Sequence, residues 1–374
     1  MHAADMNAFK RSQMELQVEV REQLRVRPKL QCLFLEMTDA CNLHCLHCGS
    51  NCTARNKTYL DLSITEKTLR QVAERYGAQN VMLCVTGGEP LLHPECIPFM
   101  ERMHKLGFSW GMTSNGTLID DATADRLMQS GLETVSISLD GLMNTNDWFR
   151  QKKGAFHKAL KGITNLIIRG CDVLVTTVVF ERNFSELDEM YELLCAHHVP
   201  AWRLINIEPI GRANAHPELQ LSADDHFRLL DYIHNRRFDP EQQMEVTYGC
   251  SHFLPYEYER MVRDQYFFCH AGISVASILA NGDIFACLDI ERRPELIQGN
   301  IAADDFCEIW EHGFQVFRKD RTLDSNVCST CSERNICAGD SFHTWDFDKK
   351  EPRLCFRQMC TRQEMKKYVL QQKE

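Results

Sequence analysis

Short apolar, β-branched runs alternate along the chain with longer segments whose apolar residues recur at helical spacing. The runs Leu33–Met37, Val81–Val85, Ser109–Thr113, Thr134–Leu139, Val173–Phe180 and Arg203–Ile207 read as strands, most closing on Gly, Asn, Asp or Pro. Between them, Thr65–Tyr76, Cys96–Leu106, Asp120–Ser130, Phe156–Arg169 and Glu186–His197 read as amphipathic helices. Six strands alternating with helices predict an α/β fold with parallel packing, as a partial barrel or a doubly wound sheet. Ahead of them, residues 1–30 alternate charged and apolar groups at helical period, which predicts a surface helix.

Near Ala213 the pattern changes. A helical stretch, Asp224–Arg236, is followed by short segments with closely placed cysteines from Cys250 to Cys360. Such a region buries little core unaided and needs metal staples. The expected division is an N-terminal helical extension (1–30), a β/α core (31–215), a helical linker (216–249) and a small cysteine-rich domain (250–365).

Composition narrows the function classes. Lys plus Arg total 42 against 52 Asp plus Glu, a net charge of −10, and no basic stripe is present, which argues against a nucleic-acid partner. No apolar run is long enough for a membrane span, and the N-terminus lacks a signal peptide's apolar centre, so a cytoplasmic location without membrane attachment is expected. In that compartment the 18 cysteines cannot be a disulfide framework; clustered ones hold metal or do redox work, and isolated ones are small core residues.

The densest chemistry is Thr38-Asp39-Ala40-Cys41-Asn42-Leu43-His44-Cys45-Leu46-His47-Cys48, directly after the first strand. Cys41, Cys45 and Cys48 stand at C-x3-C-x2-C spacing, which lets one loop wrap three corners of a [4Fe–4S] cube and leaves the fourth iron open. An open position signals catalysis. Zinc completed by His44, His47 or Cys52, or three buried thiols, also fits this segment alone. Four more strand ends carry polar or glycine-rich elements: Thr86-Gly87-Gly88-Glu89-Pro90, Thr113-Ser114-Asn115-Gly116, Ser138-Leu139-Asp140-Gly141 and Glu208-Pro209-Ile210-Gly211-Arg212. In β/α barrels such loops face one rim and build the active site.

The cysteine segment resembles the signature of the radical S-adenosylmethionine (SAM) superfamily, C-x3-C-x-Φ-C, with His47 at the Φ position. The resemblance implies a partial (β/α)6 TIM-type barrel and a SAM-binding [4Fe–4S] cluster. It also implies SAM chelated at the open iron and cleaved to a 5′-deoxyadenosyl radical, with flavodoxin or ferredoxin as electron donor. Gly87, Gly88 and Glu89 resemble the stretch that holds SAM's amino group, Ser138 a position contacting its polar groups, and Arg150 an arginine pairing with its carboxylate. His47 would lie against the adenine. Asn115 and Thr177 are candidates for ribose or carboxylate contacts.

Downstream, Cys269, the run Gly282-Asp283-Ile284-Phe285-Ala286-Cys287, the set Cys328-x2-Cys331-x5-Cys337 and Cys355 resemble the SPASM extension, which usually holds two auxiliary [4Fe–4S] clusters. Carried over, Cys328, Cys331, Cys337 and Cys355 ligate one cluster, while Cys269 and Cys287 belong to the other. The chain departs from the pattern at Ser341, where the family has cysteine, and at Val275. Three arrangements stay open: Cys250 (or Cys307 or Cys360) supplies a ligand, the cluster keeps an open iron, or it is absent. Four thiolates from 328–355 are also compatible with zinc.

Asp289 is a candidate base near that cluster, although in the related sulfatase maturases the acid stands one position earlier, at Leu288. Tyr248, His252 and Tyr256 read as pocket lining or packing, and His197-His198 as a helix end. The expected function is hydrogen abstraction from a peptide or protein, giving a crosslink, thioether, epimer or oxidised residue. With residues 1–31 alone ahead of Cys32, a separate leader-binding protein would present the peptide. The alternatives are dehydrogenation or epimerisation of a small molecule, or a non-catalytic iron–sulfur or zinc protein.

Overall fold

The computed structural model describes residues 3–250 and 252–360. Helix α1 (Ala3–Val26) leads into β1 (Cys32–Glu36), α2 (Leu62–Tyr76), β2 (Met82–Thr86), α3 (Cys96–Lys105), β3 (Trp110–Ser114), α4 (Asp121–Gln129) and β4 (Leu132–Ser138). Then come α5 (Met143–Phe149), α6 (Ala155–Ile167), β5 (Asp172–Val179), the single turn α7 (Glu181–Phe184), α8 (Leu187–Ala196) and β6 (Ala201–Asn206). Every predicted strand and helix of the core is present, its ends shifted by a few residues at most. Caps explain several ends. Asp61 accepts from the N–H groups of Ser63 and Ile64 to start α2, and Asp120 accepts from Thr123 N–H to start α4.

Strands β1 to β6 pair in sequence order, all parallel, as the partial-barrel expectation requires. The sheet continues further at both edges. After α9 (Ala223–Arg237), β7 (Glu245–Tyr248) adds parallel to β6. At the other edge β8 (Val275–Ile278) lies parallel to β1, followed by antiparallel β9 (Asp283–Phe285) and β10 (Gly299–Asn300). Part of the cysteine-rich region is thus hydrogen-bonded into the same sheet of ten strands.

Strand parity separates two faces. On β4, Val135 and Ile137 are fully buried against the helices, while Thr134, Ser136 and Ser138 are half-buried on the concave side. Trp202 and Leu204 of β6 likewise face Tyr191 and Tyr232 on the helices, leaving Arg203 and Ile205 on the concave face. That concave face is polar, with Ser136 Oγ and Thr176 Oγ1 bonded at 2.8 Å.

Helix α1 is docked rather than free. Arg21 donates to the carbonyls of Ile336 (2.9 Å) and Asn335 (2.5 Å), Lys10 Nζ to the Tyr256 carbonyl (3.0 Å), and Met14 is buried among Phe253, Phe267 and Ile336. No helix among the described residues is long and apolar enough to cross a membrane.

Candidate active site

Cys41, Cys45 and Cys48 occupy the loop leaving the carboxyl end of β1. Cys41 and Cys45 are buried, and with half-buried Cys48 they pack against Leu43, Cys52 and Ala155. Three neighbouring loops hold this backbone. Gly88 N–H donates to Thr38 O (2.7 Å) and Glu89 N–H to Ala40 O (2.9 Å). His44 and Leu46 donate to the carbonyls of Arg150 (3.3 Å) and Phe149 (3.0 Å), and Arg212 N–H to Cys48 O (3.0 Å). The glycines are needed for these approaches. A Cβ on Gly88 would stand 2.1 Å from Ala40 O, and one on Gly87, at φ +150°, 2.5 Å from Thr38 O. The GG pair therefore presses against the cysteine loop itself.

Cations surround the thiols. Arg150 Nη1 lies 3.5 Å from Cys45 Sγ while its Nη2 pairs with the fully buried Asp140. Arg212 donates to the carbonyls of Cys45 (2.8 Å) and Cys52 (3.0 Å), and Arg292, paired with Glu36, donates to Ser50 Oγ (3.0 Å). Burial pushes the Cys41 thiol up to about 12 and raises Cys45. A hydrogen bond from Cys52, helped by Arg212, pulls Cys48 down to about 5. Three converging sulfurs among three guanidinium groups fit an anionic, thiolate-ligated iron–sulfur cluster.

The other anticipated residues fall in distinct places. Glu89 is fully buried, its carboxylate accepting from Ser114 Oγ (2.8 Å) and Asn115 N–H (2.9 Å), and burial pushes its pKa up to about 7. It joins the β2 and β3 loops. Asn115 Nδ2 donates to Asn42 Oδ1 (2.8 Å) and sits 3.9 Å from Cys41 Sγ. The His47 ring stacks on Phe149 at 4.4 Å, which stacks in turn on Phe180 at 4.3 Å, and burial holds its pKa well below the usual value, so it is neutral. Ser138 faces the concave side at the rim. Thr177 does not: it is fully buried on the helix side of β5, donating to Leu139 O and accepting from Trp202 Nε1 (2.8 Å). It shares parity with Val173, Val175 and Val179, so it is turned away from any ligand on the concave face.

Farther along, Cys328 is an electrostatic neighbour of Cys331, Cys337 and Cys355. Burial raises the Cys328, Cys337 and Cys355 thiols; Cys328 and Cys355 raise Cys337 further, as Cys331 does Cys328. Asp340 N–H donates to Cys337 Sγ (3.2 Å) and Arg357 Nη1 to Cys331 Sγ (3.3 Å). Beside them half-buried Arg321 donates through Nη2 to the Gly339 and Asp340 carbonyls, leaves Nε and Nη1 unpartnered, and lies within electrostatic reach of Cys269, Asp340 and Cys337. Four thiols with a guanidinium in electrostatic reach fit a second anionic cluster. Cys269 and Cys287 are electrostatic neighbours. Cys250 lies on the β6–β7 side, where its Sγ accepts from Asn206 N–H (3.3 Å). Cys307 sits on the helix Phe306–His312, behind Tyr76 of α2.

Asp289 and Cys250 are both within electrostatic reach of Arg203, a residue not singled out in the sequence. The Arg203 stem crosses the concave face against Gly249, where a Cβ would stand 2.3 Å from Arg203 Cδ. Burial lowers its pKa, and among the described residues its guanidinium closes no hydrogen bond or ion pair. The alternation of β6 carried the signal, since a charged residue between Trp202 and Leu204 must face away from the helices.

A cysteine loop on the carboxyl rim of a parallel β/α sheet, opening onto a polar concave face, defines an enzyme that works with SAM and iron–sulfur clusters. The chain belongs to the radical SAM superfamily, whose profile matches residues 35–194, and carries an iron–sulfur cluster-binding SPASM domain, matched over residues 269–332. It is 26% identical over 345 residues to the AdoMet-dependent heme synthase of Methanosarcina barkeri (strain Fusaro / DSM 804), covering 86% of this chain and 95% of that protein. It is 27% identical over 315 residues to the mycofactocin maturase MftC of Mycobacterium tuberculosis (strain CDC 1551 / Oshkosh), covering 82% and 77%. In structure it resembles Streptococcus suis SuiB bound to S-adenosylmethionine, with TM-score 0.68 at 18% identity over 83% of this chain and 73% of that one. Its cofactors are accordingly [4Fe–4S] clusters and SAM.

Proposed function

We propose that this enzyme abstracts hydrogen from a peptide that presents a carboxylate to the concave face of the barrel, as a step in peptide maturation. When bound, the reduced SAM cluster supplies the electron that cleaves SAM into methionine and the 5′-deoxyadenosyl radical. Cys41, Cys45 and Cys48 would hold that cluster, and Cys328, Cys331, Cys337 and Cys355 the auxiliary one. The observation carrying the substrate class is Arg203. Among the described residues its half-buried guanidinium has no hydrogen-bonded anion, only Asp289 and Cys250 within electrostatic reach, and a substrate carboxylate would supply a bidentate one. Asp289, within electrostatic reach of Arg203, would take the proton released as the substrate radical passes its electron to the auxiliary cluster.

Support for a peptide comes from the fold shared with SuiB, also seen bound to the precursor peptide SuiA with TM-score 0.65, and from a relative named as a maturase. The similarity to a protein named heme synthase favours a second reading, a small carboxylated molecule recognised by the same arginine. Anaerobic turnover separates the two: 5′-deoxyadenosine is measured with carboxylate-bearing peptides and with small carboxylated compounds. Losing one charge-assisted pair of about 1.5–3 kcal/mol, Arg203→Gln should lower kcat/KM about 10- to 150-fold with SAM affinity retained. Equal kcat/KM for Arg203→Gln and the wild type would refute carboxylate recognition at this residue.

A further inference from the structure

Away from the cysteines, three strand-end segments bring one carboxylate and two imidazoles together. Glu208 leaves β6, His252 follows β7, and His343 stands two residues beyond Ser341, where the SPASM pattern has cysteine. One ligand atom from each lies within 4.8 Å of the others. Glu208 Oε1 is 2.8 Å from His252 Nε2 and 3.7 Å from His343 Nε2. His252 is fully buried, and the side chains of Glu208 and His343 are each 14% exposed.

The surroundings are those of a coordination site. His252 Nδ1 lies 3.2 Å from Asp340 Oδ2, an acceptor that would leave Nε2 free to ligate a cation. Asn206 Nδ2 donates to Glu208 Oε1 at 3.0 Å, and Tyr248 OH holds Asn206 Oδ1 at 2.6 Å. Glu208 Oε2 is buried without a hydrogen-bond partner. An imidazolium at His252 paired with Glu208 Oε1 would still leave Glu208 Oε2 unsatisfied. A cation held by two neutral imidazoles and Glu208 would use the orphaned oxygen, while Asp340 has Arg321 within electrostatic reach.

We propose that Glu208, His252 and His343 form a mononuclear site for a first-row divalent cation of the zinc or iron(II) class. Two histidines and one carboxylate suit such ions, and three protein ligands leave room for water or a substrate oxygen. Glu208 begins the segment that ends in Arg212, which grips the SAM-cluster loop, so the site stands on the same rim as the radical chemistry.

Cobalt(II) added anaerobically to the full-length, cluster-loaded enzyme tests this. About one equivalent should bind with nitrogen- and oxygen-ligand d–d absorption and without thiolate-to-cobalt charge transfer. His343→Ala and Glu208→Gln should each lose that spectrum while keeping wild-type cluster iron. Asp340→Asn should weaken cobalt affinity about 10- to 100-fold. Wild-type enzyme showing no such spectrum, or both ligand variants retaining it, overturns the proposal.

Discussion

The Arg150–Asp140 pair allows a quantitative test of what Arg150 does. The Asp140 side chain is fully buried and that of Arg150 is 9% exposed, with Asp140 Oδ1 accepting from Val178 N–H at 2.8 Å. Burial disfavours the Arg150 cation, but Asp140 and Cys45 outweigh it and raise its pKa. Arg150→Met leaves the aspartate charge buried alone, at a cost of about 3–5 kcal/mol. Unfolding entropy of about 2.1 cal/mol/K per residue over 374 residues gives about 0.8 kcal/mol/K, so Tm should fall by about 4–6 °C. Asp140→Asn on that background removes the orphaned charge and should recover most of the loss. Scanning calorimetry of the four cluster-loaded proteins of the cycle, without SAM, measures the coupling. Additive losses would show that Arg150 and Asp140 do not stabilise one another, and the pairing argument would fall. Arg150 would then be free for another anion, such as the carboxylate of SAM.

Two further outcomes follow from the same rim. Gly88→Ala places a Cβ 2.1 Å from Ala40 O, so it should prevent assembly of the SAM cluster, and iron per chain should drop by about four while the C-terminal absorption persists. Wild-type iron content in that variant would contradict the contact. Replacing Cys41, Cys45 and Cys48 together with Ala should abolish SAM cleavage and remove about one cube of iron; 5′-deoxyadenosine still formed by the triple variant would refute the ligand assignment.

The core strands and helices were legible because each carries one periodicity over its whole length. Thr177 and Arg203 show how far that reading reaches. Counting parity along β5 and β6 places the first with the apolar face and the second opposite it, information present in the sequence but eclipsed by motif resemblance. The joining of β8 to β1 was not legible, since Val275–Ile278 is four residues long and its partner lies more than two hundred positions away. The meeting of Glu208, His252 and His343 was hidden for the same reason. His252 looked like packing because its ligand-type neighbours come from other segments.

The late pairing of β8 with β1 bears on how the molecule is made. Lys29 and Gln31 donate to the carbonyls of Ile273 and Ser274, and Cys32–Leu35 align with Val275–Ile278. At about 5–20 residues per second on the ribosome, one border of the growing sheet waits roughly 12–50 s for its neighbour. During that interval an apolar strand with open amide and carbonyl groups is available to other nascent chains. Yield in a heterologous host should therefore depend on chaperone supply before iron becomes limiting.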